Sequence, residues 1–440
     1  MYHNNETVSR EAYRTESILA EGITVSNDTW QTGINNNVLV IGPSGSGKTR
    51  SYVKPNIMQA NTSMIVSDAK GTLYEECGAF LRSQGYTVYG IDFVSMNGSV
   101  GYNPLDYIRY DQQSGDYCEQ DIITASEIII ADGCNKEPFW DMAARMYLQS
   151  VIAYILASTP QSDHTLDRVA KLAYAEGGGA FEKMMVQYSE LYPDSLAARR
   201  YSAFCSMGAA DKMIGSVLGI VSTNLSSFEF CALDRLYRHP RKLDFSDFGR
   251  RKTALFLTVS DTDRSQDRLI GLFWTQALQR LCLSADRDFP GHRLDVPVRL
   301  YLDDFATNVY IPDFDKISSN VRSREIYLSV ILQSLSQLEA LYGPSKAATI
   351  MGNCDQQVVL GVQDIPTASY FAEKADVPKS CMMNMPLGSC YVFLRGRTAQ
   401  LAQKYDMTAH LCDRTLSAQD PAACEDGIFV YEEKHHEIDR

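Results

Sequence analysis

Gly42-Pro43-Ser44-Gly45-Ser46-Gly47-Lys48-Thr49 satisfies the pattern G-x-x-x-x-G-K-[ST] at every fixed position. Glycines without a Cβ let the backbone curl tightly around an anion. Successive N–H groups and a helix N-terminus then point at phosphates. Lys48 suits the β- and γ-phosphates, and the Thr49 hydroxyl suits Mg²⁺. The candidate nucleotide-binding residues are Gly42, Ser44, Gly45, Ser46, Gly47, Lys48, Thr49 and Arg50, with ATP and Mg²⁺ as expected ligands. A glycine-rich turn with a chance Lys-Thr would read the same in isolation, so context decides. The preceding run, Asn37 to Ile41, is apolar and β-branched like a buried strand, and a helix can open after Thr49. Pro55 should kink or shorten that helix.

A phosphate loop needs a carboxylate at the end of a neighbouring strand. The apolar run Val298 to Leu302 ends in Asp303 and Asp304. Parallel strands present their C-terminal ends to a ligand, so Asp303 is the metal-side candidate. Asp304 is the candidate to orient or deprotonate water. An Asp pair at a strand end also serves as a helix cap or turn. Gln333 follows the next strand, Tyr327 to Leu332, and can sense the γ-phosphate or cap the helix that follows. Arg322 and Arg324 are candidates to spread transition-state charge across a subunit boundary, although surface arginines are common.

These residues need a frame. Apolar runs at 37–41, 64–66 and 86–91 alternate with helical stretches, as in βαβ units. From about 111 to 244 the period is mostly helical. Strand-like runs return at 254–259, 298–302, 327–332, 358–361 and 391–394. The expected fold class is α/β: a nucleotide-binding domain with a mostly parallel sheet, interrupted by an inserted all-α domain. The expected division is a polar leader (1–29), the nucleotide-binding domain (30–110 and 245–415), the helical insertion (111–244) and a C-terminal tail (416–440). Gly177-Gly178-Gly179 reads as a flexible loop. His435 and His436 could bind metal, but a solvated tail is the simpler reading.

With 440 residues, 45% of them apolar, the chain can bury a substantial core. Its 41 basic and 54 acidic residues give a net charge of −13, which argues against a nonspecific basic nucleic-acid coat but not against a local basic channel. Arg241-Lys242 and Arg250-Arg251-Lys252 are the densest basic clusters and read as DNA contacts or as a solvated domain junction. Residues 111–140 carry seven acids and one base, an acidic lobe that can face solvent or dock a basic partner. Eleven cysteines without a C-x-x-C pair point to reduced thiols in a cytosolic protein. No signal peptide is expected, and no stretch reaches the ~18 apolar residues of a membrane span.

The chain resembles the coupling proteins of conjugative type IV secretion systems. The resemblance rests on the phosphate loop through Arg50, on Ser67 to Gly71, Tyr102 to Leu105 and Leu302 to Ala306. It continues through Ile311 to Phe314, Gln333 to Leu338 and Gly352 to Asp355. It implies a RecA-like ATPase with an inserted all-α domain, working as a homo-hexamer. Single-stranded DNA with its relaxase and components of the secretion channel are the implied partners. It implies nucleotide binding by Lys48 and Thr49, Mg²⁺ handling by Asp303, phosphate sensing by Gln333, and Arg322 (or Arg324) acting in trans. Two departures stand out. The family usually has Glu where Asp304 stands, and Asp is shorter by about 1.5 Å. Members also usually carry an N-terminal membrane anchor, so attachment at the inner face of the cell membrane is expected through a partner. Two other readings are a nucleotide-gated receptor that recruits protein cargo through the helical domain, and a translocase of double-stranded DNA.

Overall fold

The computed structural model describes residues 15–410 apart from 114, 132–136, 208–210, 261 and 306–308. The expected tail, His435, His436, Ala306 and residues 1–14 of the expected leader lie outside the described residues.

The strands in chain order are β1 (Glu16–Ala20), β2 (Ile23–Ser26), β3 (Val38–Ile41), β4 (Ser63–Asp68), β5 (Thr87–Asp92), β6 (Asn97–Gly98), β7 (Tyr110–Asp111) and β8 (Asp116–Tyr117). They continue as β9 (Thr253–Thr258), β10 (Val298–Leu302), β11 (Ile326–Leu332), β12 (Gln356–Val359), β13 (Ser389–Leu394) and β14 (Gln400–Gln403). Ten of them form one sheet in the order β14-β13-β12-β3-β11-β10-β4-β9-β5-β6. The seven strands from β12 to β5 run parallel, and antiparallel strands close both edges. Every residue of β3, β10 and β11 is buried. Such strands are covered on both faces, so they read as continuous apolar runs rather than alternating ones.

Side chains still alternate between faces. Val38 and Val40 pack with Tyr52, Ile57 and Leu81 on one side. Leu39 and Ile41 belong to the cluster on the other. That second cluster continues through the helix Asp267–Asp288 into a lobe of helices that includes Glu119–Ile129, Pro138–Ser158, Leu166–Tyr174, Gly179–Leu191 and Leu196–Ser206. At the lobe centre Tyr147 meets Phe181 and Phe204 at ring separations of 5.5 and 5.1 Å. The helical lobe is thus built onto the sheet through shared apolar contacts.

Two sequence expectations change. Residues 15–29 are not simply a polar leader. β1 and β2 pair as an antiparallel hairpin, and Ile18, Leu19 and Ala20 are buried. The Asn56 side chain bonds both Ile18 backbone groups, donating to its carbonyl at 2.8 Å and accepting from its N–H at 2.9 Å. Arg299 on β10 is 2% exposed and donates to Ser17 Oγ and Asn36 O, while its guanidinium lies 5.2 Å from the Tyr327 ring centroid. A buried guanidinium needs such acceptors, and the hairpin supplies one of them. Secondly, Gly177-Gly178-Gly179 is a helix junction rather than a loop. A 3₁₀ turn, Ala175–Gly178, runs straight into Gly179–Leu191. Gly178 has φ +87°, and a Cβ there would lie 2.9 Å from Leu218.

Pro55 acts as expected. The chain after Thr49 winds as a π-helix over Thr49–Val53 and an α-helix over Lys54–Met58, then stops. Proline donates no hydrogen bond and crowds the carbonyl four residues back. The wider turn, in which the Lys54 N–H bonds Thr49 O, accommodates this. No single described helix is long and apolar enough to cross a membrane.

Candidate nucleotide site

The site stands where β3, β11 and β10 end, on three adjacent strands. Ile41 pairs with Leu332, and Leu302 with Val330. The segments that follow each strand therefore emerge side by side, about 4.8 Å apart per strand. They carry the phosphate loop, Gln333 and the Asp303-Asp304 pair.

The loop begins with Gly42, whose N–H donates to Leu332 O at 3.1 Å. A Cβ at Gly42 would lie 2.3 Å from Ser46 Oγ and 3.2 Å from Leu360 Cβ, so a side chain there would force Ser46 to shift. Gly45 and Gly47 have φ of +75° and +89°, values that favour glycine. Lys48 is nearly buried and folds back to donate to Gly42 O at 2.9 Å and Pro43 O at 3.4 Å. Ser46 Oγ is buried with no hydrogen-bond partner. A glycine cradle, an unsatisfied hydroxyl and an ammonium held by loop carbonyls fit a bound polyphosphate.

The acidic side meets the loop directly. Thr49 Oγ1 donates to Asp303 Oδ2 at 3.3 Å. The Asp304 N–H donates to Asp303 Oδ1 at 3.0 Å. Burial, and next the charge of Asp304, push the Asp303 carboxyl up from 3.8 to about 6. Lys48 and the hydrogen bonds from Asp304 and Thr49 pull the other way. A hydroxyl beside a half-buried, proton-hungry carboxylate fits a divalent cation, which would supply the missing positive charge. Gln333 Nε2 donates to Asp304 Oδ1 at 3.3 Å. Asp304 has φ +47°. Asp tolerates this left-handed conformation better than most residues, a physical reason for the shorter acid here.

Lys48, Thr49, Asp303, Asp304 and Gln333 are thus brought together, while Ser44 and Arg50 are exposed on the loop and its following turn. Arg322 and Arg324 are not: they precede β11 and stand at the opposite end of the strands. Arg324 forms a two-pronged ion pair with Asp286 at 2.8 and 2.9 Å. Arg322 is exposed and donates to Thr29 O at 3.2 Å. The basic clusters are engaged locally. Lys242 pairs with Asp106, Arg250 with Asp288, Arg251 with Asp247, and Lys252 donates to Ala60 O. That pattern fits a junction better than a free basic strip. The described residues include no group of three or more His, Cys, Asp or Glu placed to hold a metal.

One contact escaped the sequence. Lys404, just after β14, donates to Ser46 O at 2.9 Å, and burial lowers its ammonium pKa. The two residues are 358 positions apart and meet only because the β13–β14 edge folds back beside β12.

The family model described as type IV secretory system conjugative DNA transfer matches residues 3–375. Protein VirD4 of Rhizobium radiobacter is 25% identical over 343 residues, covering 76% of this chain and 47% of the relative. A conjugal transfer protein TraG of Escherichia coli is 26% identical over 361 residues, covering 76% and 54%. The chain thus spans about half the length of the curated relatives it matches. Among solved structures, plasmid coupling protein TrwB in complex with ADP and Mg²⁺ superposes with a TM-score of 0.64 at 16% identity, covering 89% of each chain. TrwB bound to the ATP analogue ADPNP gives 0.62, also at 16% identity, over 86% of each. The α/β fold with its helical insertion is therefore shared with these coupling proteins.

Proposed function

The chain belongs to the type IV secretory system conjugative DNA transfer family, and from that premise we propose that it is an ATP-binding and ATP-hydrolysing coupling protein. It recruits single-stranded DNA with its relaxase and drives both into a conjugative secretion channel. The Thr49–Asp303 contact, joining loop and strand-end acid, carries this reading.

Gly42 to Thr49 grip the triphosphate, and Lys48 exchanges the Gly42 carbonyl for phosphate oxygens. Thr49 and Asp303 hold Mg²⁺, which neutralises charge on the phosphates when bound. Asp304 orients the attacking water and takes its proton, and Gln333 holds Asp304 in place and registers the γ-phosphate. Arg322 acts across the interface of a homo-hexamer, since Arg324 is already committed to Asp286. The working location is the cytoplasmic face of the cell membrane, with channel components as neighbours.

Asp304 favours one second reading: a nucleotide-gated receptor that hydrolyses ATP slowly and recruits protein cargo through the helical lobe. Misplacing a catalytic acid by about an ångström can cost roughly a hundredfold in rate. Steady-state ATPase activity with and without single-stranded DNA, beside Lys48→Ala, tests the main reading. Turnover should rise with DNA and fall at least about tenfold in the variant, roughly 1.4 kcal/mol of transition-state stabilisation. A wild-type rate equal to that of Lys48→Ala rejects the ATPase.

A further inference from the structure

Glycine lets a peptide unit turn either way, so a glycine-rich loop needs a contact to choose which of its N–H groups face a ligand. Gly47, at φ +89°, gives the Ser46–Gly47 peptide that freedom. Lys404 Nζ donates to Ser46 O at 2.9 Å. A trans peptide is planar, with its C=O and N–H pointing in opposite directions. Because the Ser46 carbonyl is held toward Lys404, the Gly47 N–H is turned away from it.

The sheet topology gives that direction a meaning. β13 runs antiparallel to β12, and β14 antiparallel to β13, so β14 ends at the same rim as β3. It does so on one side of β3, whereas Gln333 and Asp303 follow β11 and β10 on the other. Lys404 therefore reaches the loop from the β14 side, and the Gly47 N–H is directed toward the side that carries Asp303 and Gln333.

Lys404 is itself anchored. Its backbone N–H donates to Gly388 O at 2.8 Å, and the carbonyl of the preceding Gln403 accepts from the Glu21 N–H at 3.0 Å. The turn before β13 and the turn of the β1–β2 hairpin thus hold the backbone from which the side chain reaches out. Lys48 bonds carbonyls at the start of the loop, and Lys404 bonds the one just before Gly47.

We infer that Lys404 is a positioning residue of the phosphate site: by holding the Ser46 carbonyl it presets the Gly47 N–H for a phosphate oxygen. The inference rests on the nucleotide-binding reading above. Lys404 acts through the peptide and not by touching the ligand.

Calorimetric titration of the full chain with MgATP, and separately with magnesium tripolyphosphate, tests it in wild type, Lys404→Met and Lys404→Arg. Methionine keeps the length and removes the donor, whereas arginine keeps a donor. Lys404→Met should weaken both ligands equally, by about tenfold, the scale of one charge-assisted hydrogen bond. Lys404→Arg should recover most of the affinity. The loss in Lys404→Met should persist in about 1 M salt, where the screening length is roughly 3 Å, since salt screens a distant charge but does not turn a peptide. Three outcomes each overturn the positioning role and leave the nucleotide reading standing: Lys404→Met binding both ligands as tightly as wild type, Lys404→Arg binding no better than Lys404→Met, or a loss that vanishes in salt. If Lys404→Met also lowers the unfolding temperature, the Gly47 amide resonance of ligand-free protein carrying isotope-labelled glycine decides. A shift in Lys404→Met that is absent in Lys404→Arg supports the role, and an unmoved resonance overturns it. Wild type that binds neither ligand overturns the nucleotide reading itself.

Discussion

Thr49 Oγ1 donates to Asp303 Oδ2 at 3.3 Å across 254 residues of sequence. The contact exists because β3 and β10 flank the same strand, β11, and point the same way. Burial and the charge of Asp304 raise the Asp303 carboxyl against the pull of this contact, and the first prediction follows from its charge.

Asp303 is pushed up from 3.8 to about 6 by partial burial and by the charge of Asp304. A raised carboxyl pKa means the folded chain binds the proton more tightly than the unfolded one. Its contribution favours folding at low pH and is lost as pH rises from about 4 through 6. At pH 7, without a bound cation, the fold therefore carries an electrostatic cost of about 2–3 kcal/mol. Asp303→Asn should stabilise the ligand-free protein by up to about 2 kcal/mol at pH 7 and by little at pH 4, in denaturant melts. The same variant should lose Mg²⁺-dependent nucleotide binding. In wild type that binding should weaken about tenfold per pH unit below 6, as protons compete with the metal.

Asp304→Glu separates a tuned site from a damped one. Asp304 already reaches Gln333, and its left-handed backbone disfavours a longer side chain by about 1 kcal/mol. ATP turnover should fall several-fold. A tenfold gain would instead favour the slow receptor.

Gly42→Ala drives a Cβ to 2.3 Å from Ser46 Oγ, with Leu360 Cβ at 3.2 Å behind it. The loop should open, with a loss of about 1–3 kcal/mol and of nucleotide binding. Adding Ser46→Ala removes the nearer atom, so thermal melts of the double variant should recover part of the loss.

The two arginines should part company. Arg324→Ala breaks a half-exposed ion pair with Asp286 and should cost about 0.5–1 kcal/mol in the isolated chain. Arg322→Ala should leave isolated-chain stability unchanged within about 0.5 kcal/mol and reduce only the turnover of the assembled protein. Parallel melts and concentration-dependent ATPase assays distinguish them.

The parallel core was legible because its central strands are buried on both faces and show as apolar runs; all eight runs read from the sequence are strands of the sheet. The short edge elements β6 and β14 and the β1–β2 hairpin were not. Two to five residues carry little period, and Gln400–Gln403 is largely exposed. The convergence of Asp303, Asp304 and Gln333 beside the phosphate loop was legible because parallel strands bring their C-terminal ends together at one rim. Lys404 and the buried Arg299 were not, since each depends on which distant segment folds against it. The positive φ at Asp304, which explains the shorter acid, leaves no mark in composition or spacing.

Lys48 begins its work already engaged. Its ammonium rests on the Gly42 and Pro43 carbonyls rather than in water. A phosphate arriving there would have little hydration to strip from that cation and two carbonyl contacts to replace. Without a ligand those carbonyls hold the side chain, so the loop has a defined resting shape.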